Sequence, residues 1–323
     1  MYINIKSAKI CLLLAMVVSW YITKKLIPYF RHKQLGQYIR EEGPKAHMKK
    51  SGTPTMGGIA IVLGVIIGLL FGDIKNPDVW MVIINMILFG LIGFIDDYEK
   101  IAKKNNLGMT PMQKILLQVL FGVLIALYMI FFKEKGTLIF VPFIKQDVSL
   151  YIFFIPFIIF IEVAMSNAVN LTDGLDGLAS SVTLSFSIIL IAIGLLIKDS
   201  LFVISGASLA GALIGFLYFN WSPAKIFMGD TGSMALGGLI SAIMIVRRLE
   251  LLLPIIGIIY VIEALSVILQ VAYFKKTGGK RLFRMSPIHH HFELGGMSEK
   301  KISILFSGVT LIFGILAYLS VKL

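Results

Sequence analysis

Several acidic side chains stand directly beside long apolar runs. Asp96 and Asp97 follow FGLIGFI, and Asp230 follows Gly229 in FMGDTGS. Adjacent carboxylates repel each other and are costly at the edge of a bilayer, so they need a cation, a partner or water. Carboxylate oxygens are also the ligands that Mg²⁺ prefers. The pattern favours magnesium-assisted phosphate chemistry, with a solvated helix end at Asp96 and helix capping by Asp230 or Thr231 as alternatives.

A second cluster, NAVNLTDGLDGLA, combines amides, carboxylates and glycines just before an apolar run. Spacings of three would place its polar residues along one side of a helix. Such a row can hold a hydrated magnesium ion or read the hydrogen-bonding edge of a nucleotide, and glycines allow close backbone approach. A polar turn with a helix cap is the alternative. The four polar residues are Asn167, Asn170, Asp173 and Asp176.

Two basic segments complete the set. His289, His290 and His291 lie in a loop rich in lysine and arginine. Three successive histidines cannot all point one way in regular structure, so imidazole donation to phosphate fits better than a three-histidine metal site. The segment KAHMKKSGTPTMGG carries Lys45, Lys49 and Lys50 but lacks the GK[ST] ending of a P-loop. It predicts a flexible loop that contacts phosphate.

Apolar runs must position these clusters. Of 323 residues, 57% are hydrophobic and 15% charged, against about 25% charged in soluble domains. The sequence therefore predicts one all-α, polytopic membrane domain over residues 1–323. A span needs about 20 mostly apolar residues to cross a bilayer, and the runs that begin at 57 and 233 are shorter than this. The ten expected spans are 10–27, 57–72, 79–95, 115–132, 149–165, 178–197, 201–219, 233–246, 251–274 and 302–321.

The basic residues predict the orientation of the spans. The five loops that hold the polar clusters carry 18 Lys and Arg, and the opposite face carries 10. By the positive-inside rule the clusters face the cytoplasm and both termini lie outside. The net charge of +12 resides in these loops, where it suits anionic lipid or phosphate. We therefore expect membrane lipid and no nucleic acid as a partner.

Taken together and in this order, the clusters resemble the polyprenyl-phosphate N-acetylhexosamine-1-phosphate transferase superfamily, and within it most closely the bacterial phospho-N-acetylmuramoyl-pentapeptide transferases. The motifs are GTPTMGG, DDY, NAVNLTDGLDGLA, FMGDTGS and SPIHHHFE, between about Gly36 and Glu293. The resemblance implies Mg²⁺-dependent transfer of phospho-N-acetylmuramoyl-pentapeptide from its UDP-linked form to undecaprenyl phosphate, giving lipid I and UMP. It also implies a multi-pass protein of the bacterial plasma membrane. A homodimer is compatible with the sequence, which does not set the oligomeric state.

The resemblance also implies roles for individual residues. Asp230 corresponds to the Mg²⁺ ligand, Asp96 and Asp97 to the essential carboxylates at the lipid phosphate, and His289 to a further catalytic group. Phe227, Gly174, Leu175, Lys50 and Gln270 match the uridine pocket. The remaining expected substrate-binding residues are Lys100, Asn170, Asp173, Asp176 and His290.

Two other interpretations remain at this stage. A related enzyme that uses UDP-N-acetylglucosamine would share the DDY and GD elements, although the triple histidine and FMGDTGS argue against it. An ion-coupled transporter would also place ionisable groups such as Glu162 and Glu263 in spans. Transporter sites, however, lie near the bilayer midplane, often between internal repeats, and this sequence has no evident repeat.

Overall fold

The computed structural model describes residues 5–33, 36, 50, 52–103 and 107–322. Within these ranges the chain forms twelve α-helices and one antiparallel hairpin. In chain order they are α1 Ile5–His32, α2 Gly58–Asp73, α3 Pro77–Ala102, α4 Pro111–Phe132, β1 Leu138–Val141, β2 Gln146–Ser149, α5 Phe154–Thr172, α6 Leu178–Ile197, α7 Ser200–Asn220, α8 Gly229–Val246, α9 Leu253–Ile256, α10 Ile258–Lys276, α11 Ile288–Glu293 and α12 Glu299–Lys322.

The polytopic helical class is confirmed. Among the described residues, nine helices are long and apolar enough to cross a membrane. The expected span at 57–72 corresponds to α2, which has 16 residues and so measures about 24 Å. That length is below the roughly 30 Å of a hydrocarbon core.

Two expected boundaries were wrong. The ninth span does not begin at residue 251, because Pro254 and Gly257 interrupt the apolar run. Residues 250–252 form a 3₁₀ turn, α9 follows, and α10 begins only at Ile258. The fifth span does not begin at residue 149, because Ser149 pairs with Leu138 in the hairpin. The Phe140 N–H of this hairpin donates to the Arg248 carbonyl oxygen at 3.1 Å.

Helix α8 is the centre of the bundle. Every residue from Thr231 to Val246 is buried, and α3 and α5 pack along its sides. Small residues on α8 permit this close approach. Glu162 of α5 accepts hydrogen bonds from Asn85 of α3 at 3.1 Å and from Ser241 of α8 at 2.8 Å. This buried carboxylate therefore joins three helices.

Caps fix where two of the site helices begin. The Asn76 side chain accepts the Asp78 N–H at the start of α3. Thr110 and Gln113 form a reciprocal capping box at the start of α4, with Pro111 as the first helical residue. The box places Lys114 in the first turn of α4.

Candidate active site

One cavity of about 1120 Å³ is lined by all five polar clusters. It lies where α3 and α5 end and where α4 and α8 begin. The expected convergence of the clusters is thus confirmed for the described residues, and Lys45 and Lys49 lie outside them. The lining includes Lys50, Asp96, Asp97, Lys100, Lys114, Asn170, Asp173, Gly174, Leu175, Asp176, Phe227, Asp230, His289 and His290.

Asp97 organises the start of α8. Its carboxylate accepts the Thr231 N–H at 2.9 Å, the Thr231 hydroxyl at 2.7 Å and the Asp230 N–H at 3.2 Å. These backbone groups belong to the first turn of α8 and have no partner within the helix. The capping that we considered for Asp230 or Thr231 is therefore supplied by a neighbouring helix. Gly229, at φ +74°, allows the tight entry, since a Cβ there would lie 2.5 Å from Asp97 Oδ2.

Two lysines link Asp96 to Asp230. The Lys100 ammonium lies 2.6 Å from Asp96 and 3.1 Å from Asp230. The Lys114 ammonium lies 2.9 Å from each of them. Asp96 also accepts the Met109 N–H at 2.8 Å. The sequence predicted Lys100 as a phosphate contact but missed Lys114, whose only signal is its place one turn after the TP capping element.

The acidic groups form an oxygen-rich cluster that suits a divalent cation. Asp96, Asp97 and Asp230 each offer an oxygen, and these atoms lie within 4.8 Å of one another. Hard oxygen donors of this kind fit Mg²⁺. Asn170 fixes the remaining side of Asp230, since its amide donates to Asp230 Oδ1 and to Ser233 Oγ at 2.9 Å each.

The expected row of polar residues along one helix is wrong beyond Thr172. Helix α5 ends there, and Asp173 leaves the helical conformation at ψ 46°. The glycines that follow favour a turn over a continued helix. Asn170 therefore points at Asp230 from α5, whereas Asp176 belongs to a separate turn.

Asp173 lies in a field of negative charge. Removal from bulk water and the neighbouring carboxylates of Asp230, Asp97 and Asp176 raise the pKa of Asp173 well above its usual range. A cation bound beside Asp230 would offset this repulsion. Asp173 can therefore stay protonated and donate a hydrogen bond, or it can ionise when a cation binds at the neighbouring carboxylates.

Lys50 is held by two carboxylates. Its ammonium lies 2.7 Å from Asp176 and 2.7 Å from Glu299 in the first turn of α12. Asp176 also accepts the Ala224 N–H at 2.9 Å, and Glu299 accepts the Asp176 N–H at 2.9 Å. Sequence reasoning missed Glu299. This network fixes the turn that carries Gly174 and Leu175.

Phe227 and Gln270, two members of the expected uridine pocket, lie in different surroundings. Phe227 lines the cavity, where its N–H donates to the Pro54 carbonyl oxygen at 2.8 Å. Gln270 is not among the lining residues. Its side-chain oxygen accepts the Leu282 and Phe283 N–H groups at 3.0 and 2.9 Å. Gln270 thus orders the backbone of the basic loop, and its direct place in the uridine pocket stays a prediction.

The three histidines of α11 point in different directions, as expected. His289 is fully buried and its Nδ1 lies 3.0 Å from Glu263 Oε1. His290 Nδ1 lies 2.9 Å from Glu293 Oε2. His291 Nδ1 accepts the Arg284 N–H at 3.2 Å. Only His289 and His290 line the cavity.

Comparison with known proteins gives a consistent result. Residues 79–248 match the model of glycosyl transferase family 4, and residues 50–62 match signature 1 of phospho-N-acetylmuramoyl-pentapeptide-transferase. The protein of that name from Caldanaerobacter subterraneus subsp. tengcongensis is 46% identical over 300 residues, which cover 93% of this chain and 94% of the relative. The one from Listeria innocua is 48% identical over 300 residues, which cover 90% and 91%.

A third relative of the same name, from Clostridium botulinum, is 45% identical over 310 residues that cover 96% of this chain and 95% of the relative. Identity at this level over nearly the whole chain, with the signature at Lys50 and the five clusters around one cavity, leads to one assignment. The chain belongs to the phospho-N-acetylmuramoyl-pentapeptide-transferases, within glycosyl transferase family 4.

Proposed function

We propose that the chain transfers phospho-N-acetylmuramoyl-pentapeptide from its UDP-linked form to undecaprenyl phosphate, releasing UMP and forming lipid I. The observation that carries this proposal is the pairing of Asp96 and Asp230 with Lys100 and Lys114 inside the cavity. Such a cluster has both the oxygens to hold a cation and the positive charge to receive phosphate. A reaction between two anionic phosphates needs both.

Asp230, Asp96 and Asp97 are the residues that would hold Mg²⁺. When bound, the ion supplies charge neutralisation at the diphosphate. Asp230 is the direct ligand in this proposal, because Asn170 and the α8 cap already fix its position. The lysines now paired with Asp230 would turn their ammonium groups to phosphate oxygens.

The lipid phosphate is the nucleophile in this account. A phosphate monoester has its second pKa near 6, so at neutral pH it is already largely a dianion. A strong base is then unnecessary. Lys100 and Lys114 orient the phosphates for in-line attack, Asp96 accepts any residual proton, and UMP departs from the sugar-linked phosphorus. The rival mechanism is a covalent aspartyl-phosphate.

The other expected site residues divide between the uridine and the sugar phosphate of the nucleotide substrate. Phe227, Gly174, Leu175 and Lys50 would surround the uridine. Asp173, Asp176 and His290 would contact the sugar phosphate or order its pocket, and His289 would donate to a phosphate oxygen or accept a substrate proton. Gln270 would act only through the loop backbone that it holds.

We also propose a location for this chemistry. The nine apolar helices make the chain a multi-pass membrane protein, and the relatives are bacterial. We propose the shorter α2 as a tenth crossing, because only an even number of crossings places both termini on one side. The excess of basic residues in the cluster-bearing loops supports a site on the cytoplasmic side of the plasma membrane, with both termini outside and residues 1–323 acting as one domain.

The sharpest test compares nucleotide sugars. Purified protein in detergent would be incubated with undecaprenyl phosphate, Mg²⁺ and either UDP-N-acetylmuramoyl-pentapeptide or UDP-N-acetylglucosamine, and UMP release would be followed. We expect UMP release with UDP-N-acetylmuramoyl-pentapeptide and not with UDP-N-acetylglucosamine. Release with UDP-N-acetylglucosamine alone would instead assign the chain to the related transferases of that substrate, and the Asp230→Asn variant serves as the inactive control.

A further inference from the structure

The carboxylate of Glu263 has no role in the mechanism above, although it is fully buried in the second turn of α10. A charged group is costly within a membrane span, so an intramembrane carboxylate needs a specific partner. For Glu263 that partner is His289, whose Nδ1 lies 3.0 Å from Oε1. Both side chains are 0% exposed.

The other ring nitrogen of His289 faces the cavity wall. Nε2 is buried and has no hydrogen-bond partner among the described residues. Its neighbour is Gly174, where an added Cβ would lie 2.2 Å from Nε2. Gly174 is itself exposed and lines the cavity together with His289. Only a residue without a side chain can lie this close to Nε2.

These contacts define the hydrogen-bonding roles of the imidazole. A carboxylate can only accept, so an ionised Glu263 requires the proton of His289 on Nδ1. Nε2 of the neutral ring is then an acceptor that can take a substrate proton, and in the protonated ring it can donate to a phosphate oxygen. A carboxylate that accepts the N–H of one ring nitrogen commonly fixes the tautomer and the ring orientation of a histidine that uses its other nitrogen at the site.

We propose that Glu263 is a positioning residue for the transfer reaction, which accepts the Nδ1–H of His289 and thereby presents Nε2 of that ring to the substrate phosphates. The proposal rests on the proposed function for its kinetic consequence. Its structural part, the tautomer, stands apart from activity and can be measured without substrate.

The tautomer is tested by ¹⁵N NMR on the full chain in detergent with ¹⁵N-labelled histidine. The His289 signals are identified by their loss in His289→Gln. We expect the proton on Nδ1 in the wild type, and loss of this preference in Glu263→Gln, because an amide can also donate to Nδ1. A wild-type ring protonated only on Nε2, or an unchanged spectrum in Glu263→Gln, would overturn the proposal.

Kinetics test whether the pair serves the reaction or only joins α10 to α11. We expect Glu263→Gln to lower kcat by about 10- to 100-fold, the usual effect of losing an outer carboxylate, with the KM of both substrates little changed. The matched control is Glu162→Gln, which changes another fully buried carboxylate that lies outside the cavity lining. Its kcat should stay close to that of the wild type, and an equal loss would indicate a general cost of altering buried carboxylates.

A double variant separates this inference from the proposed function. In a His289→Gln background, Glu263→Gln should cost little more, because residues that act as one unit are not additive. Independent, multiplying losses would contradict a role through His289. Full activity of His289→Gln alone would also overturn the inference while leaving the proposed transfer intact, whereas an inactive wild type would refute the transfer and leave the NMR result to judge the pairing.

Discussion

Asp97 and Thr231, on neighbouring helices, share two hydrogen bonds: the Asp97 carboxylate accepts both the backbone N–H and the hydroxyl of Thr231, at 2.9 and 2.7 Å. This contact caps α8 from outside. It also sets the position of Asp230, the residue just before Thr231. The two acidic residues of α3 therefore have different contacts. Asp97 binds the start of α8, and Asp96 pairs with Lys100 and Lys114.

Asp97 caps α8, and Asp230 is positioned by that cap. Isosteric changes at these two residues should therefore have different consequences. Asp97→Asn should lower both activity and thermal stability, because the amide loses negative charge and acceptor capacity at the first turn of α8. We expect the unfolding midpoint in detergent to fall by roughly 5 °C. Asp230→Asn should abolish turnover while the protein stays folded, because it removes the proposed Mg²⁺ ligand and preserves the size of the side chain. Near-normal turnover of Asp230→Asn at limiting Mg²⁺ would show that Asp230 is not the ligand.

Lys114→Gln should lower kcat by at least about 10-fold. The variant removes the ammonium that bridges Asp96 and Asp230, so this positive charge can no longer stabilise the reacting phosphates. The Mg²⁺ concentration for half-maximal rate should fall, since less positive charge then competes for the same carboxylates. Initial rates across a Mg²⁺ titration measure both effects. Lys135→Gln, which removes an exposed lysine paired with Asp147 on the hairpin, should match the wild type, and a higher Mg²⁺ requirement in Lys114→Gln would contradict this role.

The sequence predicted the helical class, nearly all spans and the convergence of five clusters, because apolar run length and loop polarity are local properties. It did not predict Lys114 or Glu299, because each is an ordinary helix-start residue whose role depends on helix packing. For the same reason the sequence did not predict that Gln270 holds the basic loop, because its partners are backbone groups twelve and thirteen residues away. The hairpin at 138–149 was not predicted, because its two strands have only four residues each and show no clear alternation of apolar and polar residues.

Gly174→Ala should reduce turnover strongly, because the added Cβ would lie 2.2 Å from His289 Nε2 and must displace the ring or the turn. UMP release at saturating substrates measures the loss. Gly308→Ala on α12, where an added Cβ meets no atom within 4 Å, is the control and should be as active as the wild type. Equal activity of the two variants would show that the approach to Nε2 is not used.

Asp96→Asn tests the proton-acceptor role. Its deficit relative to wild type should shrink as the pH rises from about 6 to 9, because the lipid phosphate loses its own proton above its second pKa. Rates of both proteins must be compared at each pH under saturating Mg²⁺, since metal affinity also depends on protonation. A deficit that stays constant across this range would argue against proton acceptance by Asp96.

Glu250 gives a pH dependence of stability at a distance from the cavity. Burial raises the pKa of Glu250 to about 8, so the folded state favours its neutral form. Stability from this group is therefore present below the ordinary glutamate pKa and is lost as the pH rises toward 8. Glu250→Gln should raise the unfolding midpoint more at pH 8 than at pH 5, and exposed Glu134→Gln should show no such difference. An equal effect at both pH values would contradict the raised pKa.

The central claim, direct transfer of the phospho-sugar from the UDP-linked substrate to the lipid phosphate, is tested by isotope exchange. The protein would be incubated with labelled UMP, UDP-N-acetylmuramoyl-pentapeptide and Mg²⁺, with and without undecaprenyl phosphate, and label entering the nucleotide sugar would be measured. Direct attack predicts exchange only with the lipid present, because lipid I must form and then return its phospho-sugar to labelled UMP. Exchange without the lipid would establish a covalent phospho-sugar on the protein, and no exchange under either condition would contradict the proposed transfer itself.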